Sequence, residues 1–296
     1  MKRKVFVTSL MHAQLKKRKR TIRNTNIERI SVINQLVKLG KKVIIVVPKT
    51  IDQKQDIFLK QIKKTKNVKI MRIGERSPYQ GPWQRDCFTR LGRRYYNKDI
   101  SMSARAITPQ YSQRYFGEGG RIINLGKIKG KQTLLISNTA KEGISIIKKE
   151  IKEEIEMLKR QGYNVFELPG HDFSPYGQKK PELKKRWFDH IDVFINTIPE
   201  KKLLIVDPDY LRKNRRIIEN IVSETGFRLI IIPEKEKYTY PANLLSIGNG
   251  EIIMNSDAKK TINILRNVGV KVFASPKGIK ANLTMRGGIG CFVNID

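Results

Sequence analysis

The sequence predicts an α/β protein built as a five-bladed, pseudo-symmetric α/β propeller, a ring of repeated ββαβ units around a central cavity. Three observations predict it. An amphipathic helix followed by a β-branched strand recurs five times along the 296 residues. Hairpin-like stretches lie between those units. The segments that open the hairpins carry the side chains best suited to chemistry. No unit of this kind buries its apolar faces alone, but five around an axis do.

The helix–strand phrases are easily read. "NIERISVINQLVKLG" leads to "KKVIIVVP", and "QDIFLKQIKKTK" to "NVKIMRIG". "EGISIIKKEIKEEIEMLKRQG" leads to "YNVFELPG", "DYLRKNRRIIENIVSETG" to "FRLIIIPE", and "SDAKKTINILRNVG" to "VKVFASP". Apolar residues recur at three- and four-residue steps, as Ile30, Ile33, Leu36 and Val37 do, which is the stripe of a helix packed on one side. Gly40, Gly162 and Gly269 stand where a helix ends in the left-handed region. Each following strand is short and apolar, as a strand covered on both faces should be.

The hairpins read from turn chemistry. "DVFINTI" and "LLIVD" flank "PEKK", and "NLLSI" and "EIIMN" flank "GNG", the Gly/Asn pattern that tight turns need. "GRIINLGKIKGKQTLLIS" is a longer one. The closing "RGGIGCFVNID" (286–296) lacks a partner strand, and "RKVFVTSL" near the start can supply it. The expectation is one domain over 1–296, with that N-terminal strand closing the last blade.

Composition narrows the class. No apolar run reaches 18 residues, so no membrane-spanning helix is expected. The short apolar run in "MKRKVFVTSLMHAQ" is too short for a signal sequence, and a cytoplasmic protein is the expectation. Two cysteines, Cys87 and Cys291, make no disulfide framework, and the absence of a CxxC pair or a His cluster argues against a zinc site. Neither a metal nor a cofactor is expected. The formal net charge is +33. Nearly half of that excess falls in residues 1–66, densest at "KKRKR" (16–20). Such a field attracts polyanions; it is equally the surface that a lysine-rich proteome gives its proteins. The run within 10–25 has no acid and no interleaved aromatic. It therefore suits phosphate contacts, whether of RNA or of an anionic substrate, rather than base stacking.

Four of the five hairpin-opening segments bear ionisable groups: Asp86 in "PWQRDCF", Glu118 in "YFGEGGR", His190 with Asp192 in "WFDHIDVF", and Cys291 in "RGGIGCFV". The fourth, "YPANLLSI", has none. Cys291, on a glycine-rich turn, is poorly placed to fill a core and well placed for close approach by a substrate. Cys87 reads as a packing residue that points away from Asp86, and Asp189 alternates away from His190. His171, in "LPGHDFSPYG", reads as a loop residue, with pocket lining the lesser alternative, and His12 has a weaker claim. "GNG" at 248–250 is a turn rather than a phosphate loop, and "EKEK" at 234–237 reads as a solvated loop.

In their order along the chain, "RD" (85–86), "EGG" (118–120), "HID" (190–192) and "GGIGC" (287–291) resemble the guanidine-modifying pentein superfamily. Its members include arginine and agmatine deiminases, dimethylarginine dimethylaminohydrolase and the amidinotransferases. Physical chemistry suits those residues to a guanidino substrate. A planar guanidinium seeks carboxylates, which Asp86 and Asp192 supply. Its stabilised central carbon needs a strong nucleophile such as a thiolate. The departing amine needs a proton, which a histidine can give. The resemblance implies that Cys291 forms an S-amidino-cysteine, that His190 serves as acid and then base, and that Glu118 steadies the imidazole. Water as acceptor gives a deiminase or amidinohydrolase, the leading expectation; an amine gives an amidinotransferase.

The sequence departs from the family at three positions. Arg121 follows the Glu-Gly-Gly turn where deiminases commonly have Asp or Asn, which suits a substrate with an anionic tail. Gly290 precedes the cysteine where His is frequent. Val293 stands two residues beyond it where Ser or Thr is frequent. The same scaffold also occurs in a ribosome-binding translation factor without catalysis. A binding-only copy has no reason to keep Asp86, Glu118, His190, Asp192 and Cys291 together.

Overall fold

A computed structural model describes residues 5–9, 19–48, 60–62, 66–73, 88–91, 94–98, 112–115, 119–139, 145–173, 186–188, 190–276, 278–279 and 288–295. The chain opens with β1 (Val5–Ser9), α1 (Lys19–Lys38), β2 (Lys42–Pro48) and β3 (Val68–Ile73). A second group holds β4 (Phe88–Leu91), β5 (Arg94–Lys98) and β6 (Ser112–Tyr115). A third comprises β7 (Ile122–Ile128), β8 (Lys131–Ser137), α2 (Ser145–Arg160) and β9 (Asn164–Leu168), after which β10 (His171–Phe173) and β11 (Arg186–Phe188) form a separate two-stranded ribbon. The fourth is β12 (Ile195–Ile198), β13 (Leu203–Val206), α3 (Pro208–Thr225) and β14 (Arg228–Ile231). The last comprises β15 (Leu245–Gly248), β16 (Glu251–Met254), α4 (Lys259–Asn267) and β17 (Lys271–Ala274), followed by the single-turn α5 (Ile289–Phe292) and β18 (Val293–Ile295).

The protein is thus α/β, with small mixed sheets. In β7-β8-β9, β12-β13-β14 and β15-β16-β17 the first pair is antiparallel and the second parallel, with a helix crossing between. This is the ββαβ unit that the hairpins and amphipathic helices predict. The N-terminal sheet differs from the even rhythm. Its order is β18-β1-β2-β3, and β3 pairs in parallel with β2 from Val43↔Val68 to Pro48↔Ile73. The second helix–strand phrase therefore widens this sheet instead of founding its own. The β4-β5-β6 sheet, with one antiparallel and one parallel pair, had no helix–strand phrase in the sequence to announce it. β18 runs antiparallel to β1 with Thr8 opposite Val293.

Helix ends follow local chemistry. Asp207 caps α3, its carboxylate accepting from the amides of Asp209 and Tyr210, and Pro208 stands at the first helical position, where no amide is needed. Gly226 closes the same helix in the left-handed conformation (φ 69°). A large cluster joins α1 (Ile30, Ile33, Leu36) to β12, β13, Ile289 and Val293. All four residues of β12 and of β13 are buried, which accounts for their unbroken apolar sequence. Neighbouring units are pinned through their first strands and turns: Thr197 Oγ1 donates to the Asn124 carbonyl (3.0 Å) and Asn196 Nδ2 to that of Ala242 (2.8 Å). On the other side, Gln35 Nε2 donates to the Ala274 carbonyl (2.9 Å) and Lys41 Nζ to that of Ile247 (3.0 Å). Among the described residues no helix is long and apolar enough to cross a membrane.

Candidate active site

Three short turns converge. The first is the 3-10 turn Gly119–Arg121, which packs on the second, Ile191–Val193. His190 precedes the second turn in extended conformation, and Asp192 within it is fully buried. Gly120 lies so close that a Cβ there would fall 2.6 Å from His190 Nδ1 and 3.0 Å from Asp192 Oδ1. The glycine is demanded by close approach of two functional side chains, since no side chain fits between them.

The third turn carries Cys291 in α5, 5% exposed. Gly288 precedes it, and the Cys291 amide donates to the Gly288 carbonyl (3.2 Å). Here too a Cβ would collide, at 2.5 Å from Asn243 Oδ1.

Asn243 joins these turns. Its Nδ2 donates to Asp192 Oδ2 at 2.8 Å, its Oδ1 accepts from Cys291 Sγ at 3.5 Å, and its carbonyl accepts from the Gly290 amide at 3.3 Å. The tight turn after Tyr240, itself left-handed (φ 50°), sets this position, and Asn196 clamps the adjacent Ala242 carbonyl. Asp192 and Cys291, distant in sequence, are therefore two hydrogen bonds apart. Asn243 comes from the one hairpin opening, "YPANLLSI", that carries no acid, histidine or cysteine.

Arg29 adds a charge. It lies on α1, fully buried. Burial pushes its guanidinium down to about 9, against the opposing influence of Cys291 and Glu28, so it remains a cation at neutral pH. A cation buried near a cysteine favours the thiolate. Thr25, Asn26 and Glu28 are buried beside it on the same helix.

Other expected site residues are placed as follows. Asp86 and Glu118 lie outside the described residues, as do Cys87, His12 and Asp189, together with Lys16, Lys17 and Arg18 of the basic run. Arg121 is described, and its surroundings do not match a contact with a substrate tail. It is 2% exposed, Nη1 pairs with Glu154 of α2 at 3.3 Å, and Nη2 donates to the Ser137 carbonyl at 2.7 Å. The guanidinium thus ties a sheet to its covering helix. His171 is not a loop residue: it sits in β10 opposite Phe188, buried, edge-on to Phe194 (4.9 Å between ring centroids) and Tyr210 (5.6 Å). Nor is 234–237 a solvated loop. Residues Glu234–Thr239 form a 3-10 helix, and Glu236 turns inward to accept from the Lys260 amide (2.7 Å) and from the amide and hydroxyl of Thr261 (both 2.8 Å).

No protein-family model and no curated protein matches the sequence. Solved structures do match it. An agmatine deiminase from C. jejuni superposes with a TM-score of 0.65 at 16% identity, covering 98% of this chain and 92% of that one. An amidinotransferase of the saxitoxin biosynthetic pathway from Microseira wollei gives 0.59 at 10% identity, over 98% and 93%. The inosamine-phosphate amidinotransferase of Streptomyces griseus gives 0.57 at 12%, over 93% and 80%. All three are pentein superfamily members. The fold is that of the penteins. Within this fold, Gly120, His190, Asp192 and Cys291 are among the described residues of the motifs on which the sequence resemblance rests. Asn243 and Arg29 are additions from the structure.

Proposed function

We propose that this protein is a cysteine-dependent enzyme that modifies guanidino groups, with its sheets closed as a five-bladed propeller and its reaction at the convergence of the turns. The observation that carries the reading is the hydrogen-bonded path Asp192–Asn243–Cys291 beside His190. That path links a buried carboxylate to a thiol through one amide, and His190 lies two residues before the carboxylate. The ring reading draws support from the contacts pinning successive units and from the β1–β18 pairing. The guanidino chemistry draws support from deiminase and amidinotransferase neighbours, although a shared fold alone does not fix a function.

The cycle balances with this chain's own groups. Asp192, with Asp86 as its expected companion, accepts guanidinium N–H bonds and orients the planar cation. The Cys291 thiolate attacks the central carbon, and the carbon–nitrogen bond to the departing amine breaks as His190 gives that nitrogen a proton. Where the departing nitrogen is ammonia, an S-amidino-cysteine that still carries the rest of the substrate remains; His190 then takes a proton from water, the hydroxide adds to the same carbon, and collapse expels the thiolate and a ureido product. Hydrolysis by this route is the leading reading. Where the departing nitrogen is instead the substrate's own amine, an unsubstituted S-amidino-cysteine remains, and an acceptor amine takes its amidino group. Arg121 is engaged with Glu154, so no preference for an anionic tail is assigned to it.

The test is incubation with a panel of guanidino compounds, with and without amines, following ammonia, ureido product and transferred amidine, with mass spectrometry of the quenched protein. Turnover is expected with an adduct on Cys291 that has the mass of the substrate less ammonia for hydrolysis, or of a bare amidino group for transfer. No product and no adduct across the panel, with RNA or ribosomal subunits bound instead, would replace the enzyme reading by a binding one.

A further inference from the structure

The contacts of Asn243 have a chemical sense that its position alone does not convey. An ionised carboxylate accepts hydrogen bonds and cannot donate them. At 2.8 Å from Asp192, the amide must present its NH2 group there. Its oxygen is then committed to the other side, 3.5 Å from Cys291 Sγ. A thiol can donate to that oxygen; a thiolate, an acceptor only, meets a second acceptor. The amide is 2% exposed and is enclosed by Gly288, so it cannot swing out to solvent.

We propose that Asn243 is a positioning residue that holds Cys291 as a thiol in the free enzyme and releases it when substrate engages Asp192. This rests on Cys291 being the nucleophile. A guanidinium brings its own N–H donors to Asp192 and displaces the amide NH2. The freed amide turns about its terminal torsion, whose barrier is low and whose preference is broad, and offers Nδ2 to the sulfur. The thiol proton passes to His190, which then holds the proton that the departing amine requires. Among the described residues, Arg29 of α1 interacts with the sulfur and with Glu28, and Asp192 lies one amide away, two residues after His190. Arg29 favours the thiolate throughout, and the amide oxygen opposes it until substrate arrives. An otherwise activated thiol is thereby shielded from stray electrophiles and oxidants, which attack the thiolate form.

The test needs no turnover. Iodoacetamide labelling of Cys291 is followed across pH by mass spectrometry of its peptide, in the wild type and in Asn243→Ala, Asn243→Asp, Asp192→Asn and the Asp192→Asn/Asn243→Ala double variant. Asn243→Ala removes the acceptor and lowers the labelling midpoint by about one pH unit, the size of one net hydrogen bond. The isosteric Asn243→Asp keeps an acceptor on the sulfur and raises the midpoint. In the Asp192→Asn background the amide is no longer forced to one orientation, so Asn243→Ala shifts the midpoint much less, a coupling that a merely structural role would not produce. An unchanged or raised midpoint in folded Asn243→Ala overturns the proposal. So does a lowered midpoint in Asn243→Asp, or equal shifts in both backgrounds. Because labelling needs no guanidino substrate, a failed substrate panel and a failed switch are separate results.

Discussion

Replacing Gly288 with alanine isolates the geometry that brings Cys291 to Asn243. The backbone of Gly288 is extended (φ −95°, ψ −165°), a region any residue adopts, so alanine adds no dihedral strain. The whole cost is steric. The new methyl would lie 2.5 Å from Asn243 Oδ1 and 2.9 Å from its Cβ and Cγ. Carbon contacts settle near 3.5 Å or beyond, so the turn or the asparagine must retreat by roughly 0.6–1 Å. Asn243 is buried and held at both ends, which leaves no flexible tip to absorb the shift. Overpacking of this kind costs about 1–3 kcal/mol, and thermal unfolding should fall by about 3–10 °C. A displacement near 1 Å at a reacting group costs on the order of 10²-fold in turnover. Unfolding is followed by circular dichroism, and turnover with whichever guanidino compound of the panel the wild type consumes. Turnover within twofold of wild type and an unmoved unfolding midpoint would refute the claim that this glycine is required by close approach.

Three further outcomes are expected. Cys291→Ala abolishes turnover and adduct formation with its unfolding midpoint near that of wild type, and His190→Ala lowers kcat by about 10²–10⁴-fold; full activity in either variant removes that residue from the reaction. Glu236→Ala strips α4 of its N-terminal acceptor, since Ala258 at the N-cap makes no side-chain cap, and should destabilise the fold by about 2–3 kcal/mol in chemical denaturation without changing Cys291 labelling. Burial raises the Asp207 carboxyl above its usual range. Its contribution to stability is therefore fully present below the unfolded-state value and is lost as pH rises through the folded one. Asp207→Asn, which keeps the capping oxygen, should gain stability relative to wild type between pH 4 and pH 7 in thermal scans, and a loss over that interval contradicts the assignment.

Much of this was legible in the sequence because it is locally encoded. The hairpins 195–206 and 245–254 follow from apolar runs around Pro/Glu/Lys and Gly/Asn turns, and the helix stripes follow from period. What escaped depends on partners far along the chain. Arg121 reads as a free cation until Glu154 is seen against it, and Glu236 reads as solvated until the bare end of α4 is brought to it. Arg29 carried a faint signal, since it lies one turn from Ile33 on the apolar face of α1, an odd place for a guanidinium. Asn243 carried a positional one. It opens the fourth hairpin as Asp192 and Cys291 open theirs, but an uncharged amide does not announce chemistry.

The antiparallel pairing of β18 with β1 bears on the order in which the molecule becomes competent. Cys291 sits two residues before β18, and the strand it leads into is aligned against Thr8, Val7 and Phe6. Closing so long a loop costs entropy before it returns any contact energy. The ββαβ units can each condense from neighbouring residues, but the turn that carries the thiol leads into a strand whose partner, β1, is the most distant in sequence among the described strands. During synthesis the protein would therefore hold a largely built core while its sulfur is still unplaced, so acquisition of activity should lag behind acquisition of secondary structure.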